Sequence, residues 1–217
     1  MIVPALYRLL ENPVVYQLAQ LVLAPGAAQL GTRVFQGLST GARGPVLDVG
    51  CGPRASTPPP DGLLVGADVN PDYIRRYTGG WVDQDPDLVR TYRGPRSRLG
   101  YVCSGAALPF ADEAFDEARC RTTLHHLPPS VAEGLVREMV RCTRPGGKVI
   151  LIDMVWPRRP LLRPIAWVLM KLDRGGWVRS EEELVRLVQT AVPGQWRRLR
   201  YTCTYYGAEA VAFTFDK

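Results

Sequence analysis

Val46-Leu47-Asp48-Val49-Gly50-Cys51-Gly52-Pro53 decides how this chain folds, together with the stretch Leu63-Leu64-Val65-Gly66-Ala67-Asp68 just beyond it. Both apolar runs are short and bounded by turn residues, which is the pattern of buried parallel strands. Between them the glycines allow a sharp turn and let an extended ligand lie against bare main chain. Asp68 follows the turn at the distance where an acid holds ribose hydroxyls. The stretch therefore predicts a strand, a glycine turn, a connection and a second strand, built around a nucleoside-containing cofactor.

Outward from this point, strands and helices alternate. Leu99–Cys103, Phe115–Leu124 and Lys148–Asp153 read as further buried strands. Ser130 to Cys142 reads as an amphipathic helix. Ser130 and Glu133 suggest a capping box, Val131, Leu135, Val136, Met139 and Val140 form the apolar stripe, and Arg144-Pro145-Gly146-Gly147 ends it. Ser180 with Glu183 opens another helix in the same way. Near the start, Asn12 is placed to cap a helix with Pro13 at its first position, stopped at Pro25-Gly26. From Trp196 the pattern changes: Arg197–Tyr205 and Glu209–Phe215 flank Gly207 as an antiparallel hairpin. The expected fold class is α/β, a Rossmann-like, mostly parallel seven-stranded sheet with a C-terminal antiparallel hairpin.

The chain has 217 residues, enough for one domain with a substantial core, and its 46% hydrophobic and 22% charged residues suit a globular protein. The net charge of +6 is carried almost wholly by arginine, since the lysines are Lys148, Lys171 and Lys217 alone. Such a balance fits nucleic acid, a membrane surface, an anionic substrate or plain arginine bias. Cys51, Cys103, Cys120, Cys142 and Cys203 are odd in number and contain no CxxC pair, so neither a disulfide framework nor a zinc site is expected. Reduced thiols point to the cytoplasm. Met1-Ile2-Val3-Pro4-Ala5-Leu6-Tyr7 lacks the features of a signal peptide. The longest apolar run, Leu161 to Leu172, is broken by Arg163 and is too short to span a bilayer. Asp83, Asp85 and Asp87 alternate as in a calcium loop, but the loop's glycine and final glutamate are missing, so they read as a solvated turn and no metal is expected.

Leu47-Asp48-Val49-Gly50-Cys51-Gly52, Gly66-Ala67-Asp68, Leu108-Pro109-Phe110-Ala111-Asp112 with Phe115-Asp116, Leu124-His125-His126-Leu127 and Arg144-Pro145-Gly146-Gly147-Lys148 occur in an order that resembles class I S-adenosylmethionine-dependent methyltransferases, closest to the small-molecule type that includes quinone-biosynthesis enzymes. Leu172-Asp173-Arg174-Gly175 with Ser180-Glu181-Glu182-Glu183 adds a looser resemblance to methyltransferases of polysaccharide clusters. The resemblance implies S-adenosyl-L-methionine as cofactor, with Asp48, Gly50, Cys51 and Gly52 along its methionine side. It also implies Asp68 on the ribose, Val69 on the adenine, and Ser104 and Gly105 at the adenine edge. Arg54 stands where the family carries a third glycine, and Pro58-Pro59-Pro60 excludes a helix interior where the family's first helix would run. The implied organisation is one domain over 1–217: an N-terminal helical segment at 1–44, a cofactor-binding core at 45–153, a cover over the acceptor site at 154–179, and a helix with the terminal hairpin at 180–217.

For catalysis the candidates are His125, His126 and Arg121. Methyl transfer needs a base only when the acceptor carries a proton of high pKa, and one of the two histidines could serve. The alternative is a structural turn residue. Arg119 and Arg121 point to one face of the fourth strand and need partners if buried. Arg121, near the strand's carboxyl end, could hold a carboxylate or phosphate of the acceptor, or form an internal ion pair. Arg158, Arg159 and Arg163 in the cover segment extend the same argument. The expected partner is a small-molecule or carrier-linked acceptor, with an anionic one favoured. Thr122-Thr123-Leu124-His125 differs from the Asn/Asp-Pro-Pro-Tyr of nucleobase amino methylation, so no specific nucleic acid is expected. Residues 158–172 could instead lie on an anionic membrane as an interfacial helix. Two other functions compete: a nicotinamide-dependent dehydrogenase, because Gly50-Cys51-Gly52-Pro53-Arg54-Ala55 fits GxGxxA, and a degenerate, non-catalytic binding module.

Overall fold

The structure is a computed structural model, and it describes residues 12, 14–15, 18, 24–39, 41–53, 62–92, 97–171 and 176–217. The expected loop at 54–60, most of the helix after Asn12 and the stretch 172–175 lie outside the described residues. Asn12 does act as expected locally, since its side chain accepts from the amides of Val14 and Val15 at 2.9 and 3.3 Å.

The elements that follow are α1 (Ala27–Leu38), β1 (Val46–Val49), β2 (Leu64–Asp68), α2 (Pro71–Thr78), α3 (Leu88–Thr91), β3 (Arg98–Val102), β4 (Phe115–Arg121), α4 (Pro129–Cys142), β5 (Thr143–Val155), α5 (Pro164–Lys171), α6 (Glu181–Ala191), β6 (Arg197–Thr202) and β7 (Glu209–Asp216). Single 3-10 turns stand at Leu124–His126 and Pro160–Leu162. The seven strands form one sheet in the order β3-β2-β1-β4-β5-β7-β6. The first five pair in parallel, and β7 enters antiparallel between β5 and β6. This is the expected mixed sheet.

Both faces of the sheet are covered, and the buried positions of its central strands β1 and β4 are apolar except for Asp48 on β1 and Glu117 and Arg119 on β4. On one face Leu47, Ala118, Cys120 and Leu151 pack with Leu135 and Met139 of α4 and Leu184 and Val188 of α6. On the other, Ile150, Ile152, Ala210 and Ala212 pack with Ala166 of α5 and with Val34 and Phe35 of α1. Helix α2 closes this second face over β2: Gly66 leaves the space that Tyr77 fills, and a Cβ there would stand 2.6 Å from the Tyr77 ring.

The structure moves several expected boundaries. Helix α4 begins at Pro129, preceded by Pro128 with no side-chain cap, so Ser130 and Glu133 do not form a capping box. Proline is pre-set for the first helical position, and Glu133 instead pairs with Arg137 at 2.9 Å. The box at Ser180 and Glu183 is present in full. Strand β4 stops at Arg121 rather than Leu124 because Thr122 takes a positive φ of 52° and turns the chain into the 3-10 turn. Strand β5 extends well beyond Lys148–Asp153, drawn out by eight paired positions on β7 from Lys148↔Asp216 to Val155↔Glu209. Two further helices were not anticipated: α1, interrupted by glycines, and α2, although Asn70 caps it, Pro71 opens it and Gly79 ends it.

Candidate functional site

The turn after β1 is built from main chain. Gly50 and Gly52 take φ of +63° and +61°, which favours glycine at both positions. The amides of Gly50 and Cys51 donate to Ala67 O at 2.8 and 3.3 Å, tying the turn to β2. Asp68, the last residue of β2, accepts the Gly52 amide on Oδ2 at 3.0 Å and the Asn70 amide on Oδ1 at 2.9 Å. Each oxygen retains further lone pairs for ligand hydroxyls. Burial raises the Asp68 carboxyl above its ordinary value, against the lowering pull of the Asn70 and Gly52 amides. Val69 beside it is 70% exposed, an apolar surface with no protein cover. Ser104 turns its hydroxyl to the Ala106 amide at 3.2 Å, and Gly105 packs close to Val49 and Leu135.

Asp48 is buried in β1, and the Tyr77 hydroxyl donates to its Oδ2 at 3.4 Å. Burial, then Asp48 and Asp68, push the Cys51 thiol well above its usual value, so this cysteine stays protonated and is no nucleophile. Asp48, Gly50, Cys51, Gly52, Asp68 and Val69 thus gather at the carboxyl ends of β1 and β2. A Cβ on Gly52 would meet nothing within 4 Å. Open main chain, a carboxylate with spare acceptors and a bare apolar side chain fit a sugar-bearing, extended cofactor.

The histidines lie one strand over. Thr123 ties their turn to the glycines: its hydroxyl donates to Gly50 O at 3.4 Å. His125 is buried, and its Nδ1 meets Asp153 Oδ1 at 2.5 Å while its main-chain amide donates to Asp153 Oδ2 at 2.8 Å. With a carboxylate on Nδ1, the proton sits there and Nε2 is the basic nitrogen. Arg179 closes the turn from outside, donating to Leu124 O at 2.7 Å and Leu127 O at 2.8 Å; burial lowers its pKa. His126 stacks on His125 with ring centroids 4.0 Å apart. Both histidines, expected as candidates for a base, stand at this end of the sheet, and Asp153 orients the ring of His125. Asp153 was missed by the sequence reading. Its signal was available: like Asp48 and Asp68, it is an acid near the carboxyl end of a buried strand.

The two arginines of β4 part ways. Arg119 pairs with Glu117 two residues back on its own strand, bonds Ser39 at 3.2 Å and lies over the Phe35 ring at 5.2 Å. It is an internal pair roofed by α1. Arg121, half-buried one turn of the pleat further on, lies against α1 at Gly31, and its positive charge reaches Tyr201. Its carbonyl accepts from the Thr122 and Thr123 hydroxyls, while its guanidinium makes no hydrogen bond or ion pair with the described residues.

In segment 154–179, expected to cover the acceptor site, Arg158 and Arg163 each pair with a buried acid. Arg158 binds Glu181 at 2.8 Å and Arg163 binds Glu209 at 2.7 Å, with Arg200 linking both buried acids. Burial alone would raise Glu209, but the Arg200 and Arg158 hydrogen bonds and the nearby positive charges outweigh it and hold this carboxyl below its usual range. The network clamps the segment onto the hairpin. Asp83 accepts the Gly100 amide and Asp85 the Asp87 amide, as in a turn. Among the described residues no group of three or more His, Cys, Asp or Glu could hold a metal ion. All five cysteines are free thiols, and no helix among the described residues is long and apolar enough to cross a membrane.

Residues 47–151 match the model of a family described as a methyltransferase domain. An uncharacterized methyltransferase of Mycobacterium sp. (strain JLS) is 37% identical over 114 residues, 51% of this chain and 39% of that protein. The demethylmenaquinone methyltransferase of Roseiflexus castenholzii is 36% identical over 110 residues, 50% of this chain and 40% of that protein. The match thus spans less than half the length of these curated relatives. Phosphoethanolamine N-methyltransferase 2 of Haemonchus contortus, solved with phosphomonomethylethanolamine and S-adenosylhomocysteine, superposes with a TM-score of 0.61 at 11% identity, over 92% of this chain and 57% of that one. It shares the fold.

Proposed function

We propose that this protein, whose residues 47–151 match a methyltransferase domain, uses S-adenosylmethionine to methylate a small or carrier-linked anionic acceptor at oxygen or carbon. The observation that carries the anionic acceptor is Arg121. A guanidinium half-buried at the carboxyl end of a central strand is costly to desolvate without a partner, and ligands of open α/β sheets bind at that end. A carboxylate or phosphate on the acceptor satisfies it, and a planar guanidinium binds either group through two parallel hydrogen bonds.

The residues divide the work. Gly50, Gly52, Asp68, Val69, Ser104 and Gly105 would hold the cofactor, with Asp48 on its methionine side. S-adenosylmethionine supplies a methyl group on a positively charged sulfur, already activated for displacement. Arg121 fixes the acceptor's orientation, and holding a nucleophile in line accounts for much of the rate of such reactions. Where the acceptor is a hydroxyl, His125 Nε2 takes its proton while Asp153 stabilises the resulting imidazolium. The domain match supports this reading over the nicotinamide one.

The test is methyl transfer from labelled cofactor into fractions of cell extract separated by anion exchange. Label should enter the retained, anionic fractions. Arg121→Ala should lower kcat/KM for that acceptor and leave S-adenosylhomocysteine affinity within about twofold, since the lost contact lies on the acceptor alone. A neutral acceptor, or a variant that is unstable but kinetically normal, overturns the anionic reading. S-adenosylhomocysteine binding with no transfer to any fraction would favour the non-catalytic module.

A further inference from the structure

Helix α5 is apolar on every side, Pro-Ile-Ala-Trp-Val-Leu-Met-Lys. A helix of that kind is ordinarily buried all round, in a protein core or in lipid. Here only one side is. Ala166 and Met170 face the sheet, while Leu161, Leu162, Ile165 and Val168 are 93%, 72%, 60% and 46% exposed. Leu161 and Leu162 stand on the preceding 3-10 turn and Ile165 and Val168 on the helix itself, and together they form an aliphatic strip that no described residue covers. Soluble surfaces carry single exposed aliphatics freely but seldom a contiguous strip.

The charges around the strip say what covers it. Arg158 and Arg159 stand exposed at its start and Lys171 at its end. Arg158 keeps 65% of its side chain exposed even while bonded to Glu181. Arg159 and Lys171 are exposed and stand outside the pairs that Arg158 and Arg163 make with Glu181 and Glu209. Lys171 lies over the Trp156 and Trp167 rings at 5.3 and 5.5 Å, so indoles accompany the ammonium at the edge of the strip. Aliphatics bracketed by cations, with tryptophan at the border, match the layers of a bilayer surface: acyl chains, then the interfacial depth that indoles prefer, then anionic headgroups. A second copy of this chain fits poorly. A two-fold pairing of the strip sets Arg159 against Lys171, and a parallel pairing sets like against like; both are repulsive.

We infer that the strip Leu161–Val168 seats this protein on the surface of an anionic phospholipid membrane. The helix is fixed for this by the Arg163–Glu209 and Arg158–Glu181 pairs, which hold the segment to the body of the protein and leave its outer side free. The strip follows the carboxyl end of β5, the end of the sheet that carries Asp48 and Asp68. A seated molecule therefore turns its site end toward the lipid. The inference is independent of the charge of the methyl acceptor.

The experiment is co-sedimentation of the full chain with vesicles of equal parts phosphatidylcholine and phosphatidylglycerol, and with vesicles of phosphatidylcholine alone. The protein should pellet with the mixed vesicles, and the neutral ones should bind at least about tenfold more weakly, as two or three surface cations imply. Leu161→Asp with Ile165→Asp should abolish pelleting. Both side chains are exposed, so the melting temperature and S-adenosylhomocysteine affinity should not change. Arg159→Glu with Lys171→Glu should weaken binding to mixed vesicles at least about tenfold while binding to neutral vesicles persists or rises. The inference is overturned if the native chain stays in solution with mixed vesicles, or if both variants pellet like it. It is equally overturned if the native chain is a dimer that the Leu161/Ile165 variant makes monomeric, with no vesicle binding in either. Loss of S-adenosylhomocysteine binding in the native chain would instead count against the methyl-transfer reading and leave the vesicle result standing.

Discussion

Two pairs of hidden carboxylates, held by opposite means, divide the carboxyl end of this sheet. Asp68 is held by main-chain amides of Gly52 and Asn70, and Asp48 receives a phenol from Tyr77. Glu181 and Glu209 are held by arginines: Arg158 and Arg200 on the first, Arg163 and Arg200 on the second. Amides and phenols orient a carboxylate without cancelling its charge, so Asp68 is raised by burial and remains hungry for donors. Guanidinium groups cancel it, so Glu209 is lowered and its valences are spent. Asp68, met by main-chain amides among the described residues, is left open to a ligand, whereas the acids held by arginines serve as scaffold. Arg121 is the mirror case, a cation whose cancelling partner is not among the described side chains.

Breaking the scaffold pair should give the largest effect. Glu209→Ala leaves Arg163 without its acid and Arg200 with Glu181 alone, a change that costs about 3–5 kcal/mol in comparable networks. The melting temperature should fall by roughly 6–20 °C, while the folded fraction binds S-adenosylhomocysteine normally. An unchanged melting temperature would remove the distinction between scaffold and site. The pH dependence sharpens it. Glu209 is lowered in the folded state, so its contribution is complete above the ordinary value of 4.5 and is lost as pH falls through the lower folded value. Glu209→Gln should flatten that acid limb of the stability curve.

Next in size, Asp68→Ala should weaken S-adenosylhomocysteine binding about 10- to 100-fold by titration calorimetry, because charge-assisted hydrogen bonds contribute about 1.5–3 kcal/mol. Its melting temperature without ligand should hold or rise, since a buried charge is removed. A fall as large as that of Glu209→Ala would place Asp68 with the scaffold. Gly50→Ala should lower stability by about 1–2 kcal/mol for its left-handed backbone, and more because the new Cβ would stand 2.4 Å from Thr123 Oγ1. Gly52→Ala has the same backbone strain in open space, so chemical denaturation should rank Gly50→Ala below it. The smallest effect belongs to Tyr77→Phe. It removes the hydroxyl from Asp48 and leaves the ring against Gly66, so affinity should drop about two- to tenfold with packing intact.

The ligand side was open to sequence reading because it is written locally. Asp48, Gly50, Gly52 and Asp68 lie within 21 consecutive residues, and strand, turn and strand follow from their own composition. The scaffold side was not. Arg158 meets Glu181, and Arg163 meets Glu209, across separations that only the finished sheet brings together. Read as a line, those arginines look like free cations over a pocket. Helix α2 was passed over although Asn70-Pro71 and Gly79 mark its ends locally; what the line of sequence hides is its packing, for which Gly66 on β2 and Gly100 on β3 make room. Helix α4 was placed correctly but started wrongly, because Pro129 took the first position ahead of Ser130.

Strand β5 is the longest in the sheet and is paired along both edges, to β4 and to β7, with Val149 to Asp153 buried without interruption. Amide protons at such a place reach solvent only when the whole molecule opens, whereas β6, an edge strand whose first three residues are exposed, can fray without disturbing its neighbours. In exchange lifetimes β5 should outlast every other element, and β6 should be among the first to yield. Asp153 ends the buried run of that strand. The acid that sets the His125 ring is mounted on the last part of the protein to let go, and it stays aimed while the edges of the fold breathe.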